Sequence, residues 1–194
     1  MSKLYSVFNT KTDQTNSPHF KYSVKNELTD EWEKFELTEL EGIFSGAWHS
    51  TDKFKDEEWP VFCIRIDISD KQHVIKIKHY KPGYDLINLL SQIPPYSNVA
   101  IKLEKRQDSK DKSKWWPVIK VGIVDGEMIR QVEPAVPYKD YPRAIPATNA
   151  RGQIIKDKAG KDTYDFTDQT TFWNEFFDKI CDKFKNTTTH DNTW

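Results

Sequence analysis

Lysines gather in two stretches of the chain, and two tryptophans stand near the end of the second; this chemistry suits a polyanion that carries flat rings. Residues 71–81 contain four lysines and no acid. Residues 102–120 contain seven lysines or arginines against three acids, with Trp115 and Trp116 close to the end. Cations attract phosphates and exposed rings stack on bases, where each stacked base contributes ~1–3 kcal/mol. The pattern is typical of a surface that binds single-stranded nucleic acid.

We therefore predict a nucleic-acid-binding surface in which rings meet bases and cations meet phosphates. The candidate residues are Phe44, Trp48, Arg65, Lys76, Lys78, Tyr80, Lys102, Lys105, Arg106, Trp115, Trp116 and Lys120. The alternative is an ordinary solvated face with packed tryptophans, because 30% of the chain is charged. The overall charge gives this surface no general support, since 29 lysines and arginines balance 30 acids.

Alternating apolar residues predict the strands that would position these side chains. The predicted strands are Leu37–Trp48, Val61–Ile68, His73–Tyr80, 98–106 and 115–124. A helix is predicted at 82–93, and Pro94 and Pro95 end it because proline lacks the amide hydrogen. The helix falls between the third and fourth strands, which is the element order of the OB-fold, a five-stranded Greek-key barrel. We expect a mainly β protein with an OB-like barrel over residues 37–130.

Two other architectures share this pattern of elements. An SH3-like barrel also has five strands, although a full helix between its third and fourth strands is rare. An α+β sandwich needs another helix on the sheet, and the C-terminus supplies one. The other predicted segments are an N-terminal arm with an accessory strand at 1–36, a proline-rich extended connection at 131–166, an amphipathic helix at 167–186 and a polar tail at 187–194.

With its basic loop, the predicted barrel resembles the single-stranded DNA-binding proteins of bacteriophages. The resemblance rests on the element order and on the loop that ends in Trp115 and Trp116. It implies non-catalytic coating of single-stranded DNA in replication or recombination, in the host cytoplasm if the source is viral. Proteins of that class often end in an acidic tail with a terminal aromatic residue that recruits replication proteins. Here Trp194 matches the terminal ring, but Asp191 is the one acid in the last five residues.

The C-terminal helix supports a second hypothesis, a protein-interaction or assembly module. Its apolar residues recur at helical spacing, and such a stripe either packs on the sheet or docks a second copy or a replication protein. The candidate partner-binding residues are Phe172, Trp173, Phe176, Phe177 and Ile180, with Trp194 in the tail. Partner binding of this kind would be indifferent to salt.

No pattern of catalytic or metal-binding residues is readable in the sequence. Asp85, Glu104 and Lys105 are the residue types that a metal-dependent nuclease needs, but their spacing fits no strict motif. Cys63 and Cys181 are too far apart for a metal-ligand motif or a disulfide framework. We expect a protein that is not an enzyme and that needs no cofactor or metal. No apolar run reaches the ~18 residues of a membrane span, so we expect an intracellular protein with no membrane partner.

Overall fold

The computed structural model describes residues 2–26, 28–54 and 57–187. The strands are β1 (Ser2–Asn9), β2 (His19–Lys25), β3 (Trp32–Leu37), β4 (Glu39–Phe54), β5 (Glu57–Ile68), β6 (Lys71–Lys78), β7 (Asn98–Gln107), β8 (Trp115–Asp125), β9 (Met128–Gln131), β10 (Ile145–Pro146) and β11 (Tyr164–Asp165). The helices are α1 (Lys81–Leu90), between β6 and β7, and α2 (Thr167–Thr187). Neither described helix is long and apolar enough to cross a membrane. Residues 188–194 of the predicted tail, which include Trp194, lie outside the described residues.

Nine of the strands form one sheet in the order β3-β2-β1-β6-β5-β4-β7-β8-β9. Neighbouring strands run antiparallel except β1 and β6, which run parallel. β10 and β11 form a separate antiparallel pair. The protein is therefore mainly β, with one large open sheet and two helices.

The predicted closed OB-like barrel is wrong, because the strand edges that would close it are occupied. Closure would require β8, the fifth strand of the predicted barrel, to pair with β6, the third. Instead β1 pairs with that edge of β6, from Ser2 opposite Lys71 to Val7 opposite Lys76. The outer edge of β8 pairs with β9. The sheet thus remains open, with β3 and β9 at its two ends.

The open sheet is nevertheless strongly curved. β4 pairs first with β7 and then with β5, and a register shift between Phe44 and Gly46 marks a bulge, which bends the strand. On the other side, the ammonium group of Lys105 in β7 donates hydrogen bonds to backbone carbonyls of the loop at residues 13–16, which follows β1. Because three strands separate β1 from β7 in the sheet order, this contact requires the two halves to approach each other.

One face of the sheet carries the hydrophobic core, and both helices cover it. Buried residues of this face are Phe44, Phe62, Ile64, Ile66, Ile75, Ile77, Val99, Ile101, Leu103 and Val121. Trp173 of α2 stacks on Tyr84 of α1, with ring centroids 4.8 Å apart. Phe177 of α2 lies 4.6 Å from Phe62 of β5, measured between ring centroids. The C-terminal helix is therefore part of the core.

The N-terminal segment takes a larger part in the sheet than its sequence predicted. Residues 1–36 were expected to form an arm with one accessory strand, whereas residues 2–37 supply β1, β2 and β3. β1 is an inner strand, and its Ser6 and Phe8 are buried. A serine among the inward positions weakens the apolar alternation that indicates a strand.

After β9 the chain leaves the sheet. Residues 143–166, which we call the ribbon arm, contain β10 and β11 and two tight turns at Gly152 and Gly160. Both glycines have a positive φ, 75° and 77°, which suits residues without a Cβ atom. No residue of the ribbon arm is buried. The arm therefore stands as a small ribbon outside the core.

Candidate nucleic-acid interface

Two clefts adjoin where β6 ends and α1 begins. The first, of about 570 Å³, is lined by Asp52, Glu57, Trp59, Pro60, Lys78, His79 and Tyr80. The second, of about 630 Å³, is lined by Thr10, Thr12, Lys81, Pro82, Asp85, Arg106, Trp115, Trp116, Pro117 and Tyr138. Residues 78–80 line the first cleft and the next two residues line the second, so the two are continuous along the chain. Together we call them the ring groove.

Three aromatic side chains stand exposed along the ring groove. Trp59 of β5 is 54% exposed, Trp116 of β8 is 49% exposed, and Tyr138, which follows β9, is 66% exposed. Tyr80 and Trp115 also line the groove but are less exposed. Exposed rings beside cations are surfaces on which bases can stack.

The Trp116 ring is held in place by the hairpin between β7 and β8. Its indole N–H donates a hydrogen bond of 2.9 Å to Oδ2 of Asp108. The other carboxylate oxygen of Asp108 accepts the backbone N–H groups of Lys110 and Asp111. These bonds, with that of the indole, lower the pKa of Asp108 to about 2, so the carboxylate stays ionised at neutral pH. The ring is therefore oriented before any ligand arrives.

Tyr80 lines the first cleft and directly precedes Lys81, which lines the second. Its hydroxyl donates a hydrogen bond of 3.0 Å to the backbone carbonyl of Phe8, at the end of β1. Burial raises the pKa of the Tyr80 hydroxyl, which stays neutral. The phenol therefore fixes the position of β1 against the segment that precedes α1, and only part of its ring remains open to a ligand.

Three cations line the ring groove, and two of them lack an acidic partner. Lys81 forms an ion pair of 2.7 Å with Asp85 and lies 4.4 Å from the centre of the Tyr138 ring. Lys78 and Arg106 are exposed, and no acid lies within ion-pair distance of either in the described part of the chain. Both are therefore available to phosphates.

The predicted cations outside the groove are already paired. Lys76 pairs with Asp52 at 2.7 Å. Lys102 pairs with Glu39 at 2.8 Å and Lys120 pairs with Glu104 at 2.7 Å. Arg65 donates to the hydroxyl and the backbone carbonyl of Ser45, at 2.8 and 2.9 Å. A phosphate would have to displace these partners.

Lys105 has a structural position rather than an open one. Its ammonium group donates to the carbonyls of Asp13, Gln14 and Asn16, at 3.0, 2.9 and 3.3 Å. The same group lies 5.1 Å from the centre of the Trp115 ring. Lys105 thus ties the loop after β1 to the β7–β8 hairpin.

Two of the predicted rings lie away from the groove. Phe44 is fully buried and its ring centroid lies 4.9 Å from that of Phe184 of α2. No base can reach Phe44 in this structure. Trp48 is 37% exposed and stands opposite Cys63 on the outer face of the sheet, outside the residues that line the groove.

The predicted partner-binding stripe of α2 faces the sheet. Trp173, Phe177 and Ile180 are buried in the core, and Phe172 and Phe176 are partly buried against it. Within the described residues, α2 therefore presents none of these five side chains as a free apolar surface. A docking role for this stripe would require α2 to leave the sheet.

Three groove residues were missed by the sequence prediction: Trp59, Lys81 and Tyr138. Trp59 and Pro60 directly precede the predicted strand Val61–Ile68. An exposed ring beside the start of that strand could therefore have been predicted. Lys81 belongs to the acid-free stretch 71–81, but no signal separated it from its neighbours. Tyr138 lies in the proline-rich segment, and only the folded chain brings it beside Lys81.

The described residues contain no group of three or more His, Cys, Asp or Glu side chains placed to hold a metal ion. Comparison with known proteins adds no further constraint. No protein-family model, no curated protein and no solved structure matches the chain. The ring groove is therefore judged on its geometry alone.

Proposed function

We propose that this chain binds single-stranded DNA without catalysis and without sequence preference, in support of replication or recombination. The observation that carries the proposal is the ring groove. There the exposed ring of Trp59 lies in one cleft with the unpaired cation Lys78, and the exposed rings of Trp116 and Tyr138 lie in the adjoining cleft with the unpaired cation Arg106. Rings for bases and cations for phosphates are the combination by which proteins hold single strands.

The chemistry of the groove accounts for tolerance of sequence. Stacking requires only the flat face of a base, which all four bases have, and ionic contacts reach phosphates that are the same at every position. Duplex DNA offers phosphates as well, but its bases are already stacked on one another. The groove should therefore favour a single strand over a duplex.

The near balance of charge limits the electrostatic part of binding. The whole chain carries a formal charge of −1, so attraction has to come from the local cations. Each phosphate contact with a single strand contributes about −0.7 to the slope of log K against log salt. Two to three groove cations therefore correspond to a slope of roughly −1.4 to −2.1.

Equilibrium binding to labelled oligonucleotides tests the proposal. Fluorescence anisotropy would compare oligo-dT, a mixed-sequence single strand and the duplex of that mixed sequence at low salt. We expect similar affinities for the two single strands and binding at least about tenfold weaker for the duplex, a difference of about 1.4 kcal/mol. Equal affinity for the duplex, or no binding to either single strand, would overturn the proposal.

A further inference from the structure

The ribbon arm, residues 143–166, is an exposed and basic element. It has five cations and three acids, and none of its residues is buried. Five large apolar or aromatic side chains of the arm are exposed: Ile145, Ile154, Ile155, Tyr164 and Phe166. A ribbon of this kind cannot bury these side chains on itself.

In the ribbon arm the acids have partners, whereas most of the cations have no acidic partner among the described residues. Asp157 accepts two backbone N–H groups of its own turn, and Asp165 accepts the N–H and hydroxyl of Thr167 at the start of α2. Lys156 pairs with Asp162 at 3.7 Å. In the part of the chain that the structure describes, the other four cations of the arm have no acid within ion-pair distance. The acids are thus engaged within the arm or at the start of α2, while most of the arm's cations have no acidic partner among the described residues.

The edge strand β3 has the complementary character. Residues 30–37 carry four acids and one lysine, and five of the six residues of β3 are exposed. Trp32 is 65% exposed and Phe35 is 38% exposed. β3 pairs with β2 on one side only, so its outer backbone edge is unpaired among the described strands.

Two of the acids beside β3 lack a cation. Asp30 faces Lys25 of β2, and Glu36 lies 3.8 Å from Lys21. Glu31 and Glu33 have no lysine or arginine within ion-pair distance in the described residues, although Glu33 accepts a hydrogen bond of 2.6 Å from the amide of Asn26. Unpaired edge strands are sites where another chain can add, and these acids favour a basic chain.

We infer that the ribbon arm of one copy docks on the β3 edge of a second copy of this chain. The arm brings unpaired cations and exposed apolar side chains, and the edge brings unpaired acids, exposed rings and free backbone groups. Like charges on two β3 edges repel each other, and so do those on two arms, which disfavours symmetric contacts. The contact is therefore head-to-tail and leaves a free arm at one end and a free edge at the other.

Head-to-tail docking extends the protein into a chain of copies. Because each copy uses one arm and one edge, the contact does not close on itself unless its rotation forms a ring. It involves no residue of the ring groove, so assembly is a property of the protein without DNA. Its test is thus independent of the proposed function.

Charge exchange provides the test. Sedimentation velocity of the full chain would be measured at low and at high salt. Protein concentrations would reach about 0.1 mM, at which a contact with a Kd of about 1 μM is mostly formed. The arm variant is Lys158→Glu with Lys161→Glu, and the edge variant is Glu31→Lys with Glu33→Lys. The control is Lys110→Glu with Lys112→Glu, which makes the same charge change on the β7–β8 hairpin.

The expected results are specific to head-to-tail docking. The wild type and the control assemble at low salt and dissociate at high salt, whereas the arm variant and the edge variant each sediment as monomers. A one-to-one mixture of the two variants assembles again, as does a chain that carries all four substitutions. Circular dichroism confirms that each variant is folded. A monomeric wild type, unchanged assembly of the arm variant, or a mixture that stays monomeric would overturn the inference.

Discussion

At the scale of single residues, the central feature is a ring that the protein orients in advance. The carboxylate of Asp108 is held by the turn and in turn holds the indole of Trp116. A ring that is already fixed loses little conformational freedom when a base stacks on it. Trp116 should therefore contribute near the upper part of the usual range for one stacked base.

Replacing this ring gives the first prediction. Trp116→Ala should weaken binding of oligo-dT by ~1–3 kcal/mol, because one stacking surface is lost. Trp48→Ala, which removes a 37% exposed ring of β4 that lies outside both the groove and the β3 edge, is the matched control and should leave the affinity unchanged. Anisotropy titrations measure both. Equal losses in the two variants would show that the groove is misplaced.

Arg106 supports a prediction about salt. It is exposed in the groove and unpaired among the described residues, so Arg106→Ala should remove one phosphate contact. The slope of log K against log salt should become shallower by about 0.7. Lys179→Ala, an exposed cation of α2, should keep the wild-type slope. An unchanged slope for Arg106→Ala would mean that no phosphate lies beside this guanidinium.

His79 makes folding sensitive to acid. Its ring stacks on Phe62 with centroids 4.0 Å apart, and both ring nitrogens are buried without a hydrogen-bond partner among the described groups. Burial, with a smaller contribution from His49, lowers the pKa of His79 from 6.5 to about 4. Below pH 6.5 the unfolded chain therefore binds a proton that the folded chain does not, and stability falls as the pH falls.

The effect of His79 on stability can be measured by urea unfolding at pH 7 and pH 5. The wild type should be less stable at pH 5, and His79→Phe, which keeps a stacked ring, should lose less stability over the same interval. Some loss should remain, because burial also lowers the pKa of His73. The same loss in wild type and variant would contradict the role given to His79.

At the scale of elements, α2 closes the core and does not stand free. Trp173 is fully buried between Tyr84 and Tyr141, with ring centroids 4.8 Å from each. Trp173→Ala should lower the free energy of unfolding by about 3–5 kcal/mol, the usual cost of removing a large buried ring. Glu175→Ala, an exposed change on the same helix, should stay within about 0.5 kcal/mol. Denaturant unfolding measures both, and a mild effect for Trp173→Ala would mean that α2 packs loosely.

The elements also show which parts of the fold could be predicted from the sequence. Period-two alternation predicted the strands that became β4 to β8, because this signal is local. The proline pair predicted that the helix ends at residue 93, but α1 ends earlier, at Leu90. Which edges pair is decided by segments that are distant in sequence. β1 pairs with β6 across some 70 residues of chain, from Ser2 opposite Lys71 onward, and no local pattern predicts that contact. The predicted barrel failed for this reason.

The candidate site was predictable to a similar extent. The sequence indicated the residue types and found Lys78, Tyr80, Arg106, Trp115 and Trp116, all of which line the ring groove. It could not show that Lys76, Lys102 and Lys120 are paired with acids on other strands of the sheet, because those pairs depend on strand order and register. The contribution of Tyr138 likewise depends on where the proline-rich segment crosses the fold.

At the scale of the whole molecule, the fold separates three surfaces. The covered face of the sheet holds the core, the junction of β6 and α1 forms the ring groove, and the ribbon arm and β3 edge lie outside both. The formal charge of −1 provides no general attraction for DNA, and the predicted cations Lys76, Lys102 and Lys120 are paired with acids. DNA binding should therefore depend on a few residues of one groove rather than on general charge.

The most direct test of this account is the intrinsic tryptophan fluorescence during titration with oligo-dT. At low salt the wild type should show saturable quenching that weakens as salt is added. Because Trp59 and Trp116 are the exposed indoles of the groove, a Trp59→Phe, Trp116→Phe variant should retain binding by anisotropy but lose most of the quenching. Wild-type quenching in the double variant, or no quenching in the wild type at low salt, would contradict stacking of bases in the ring groove.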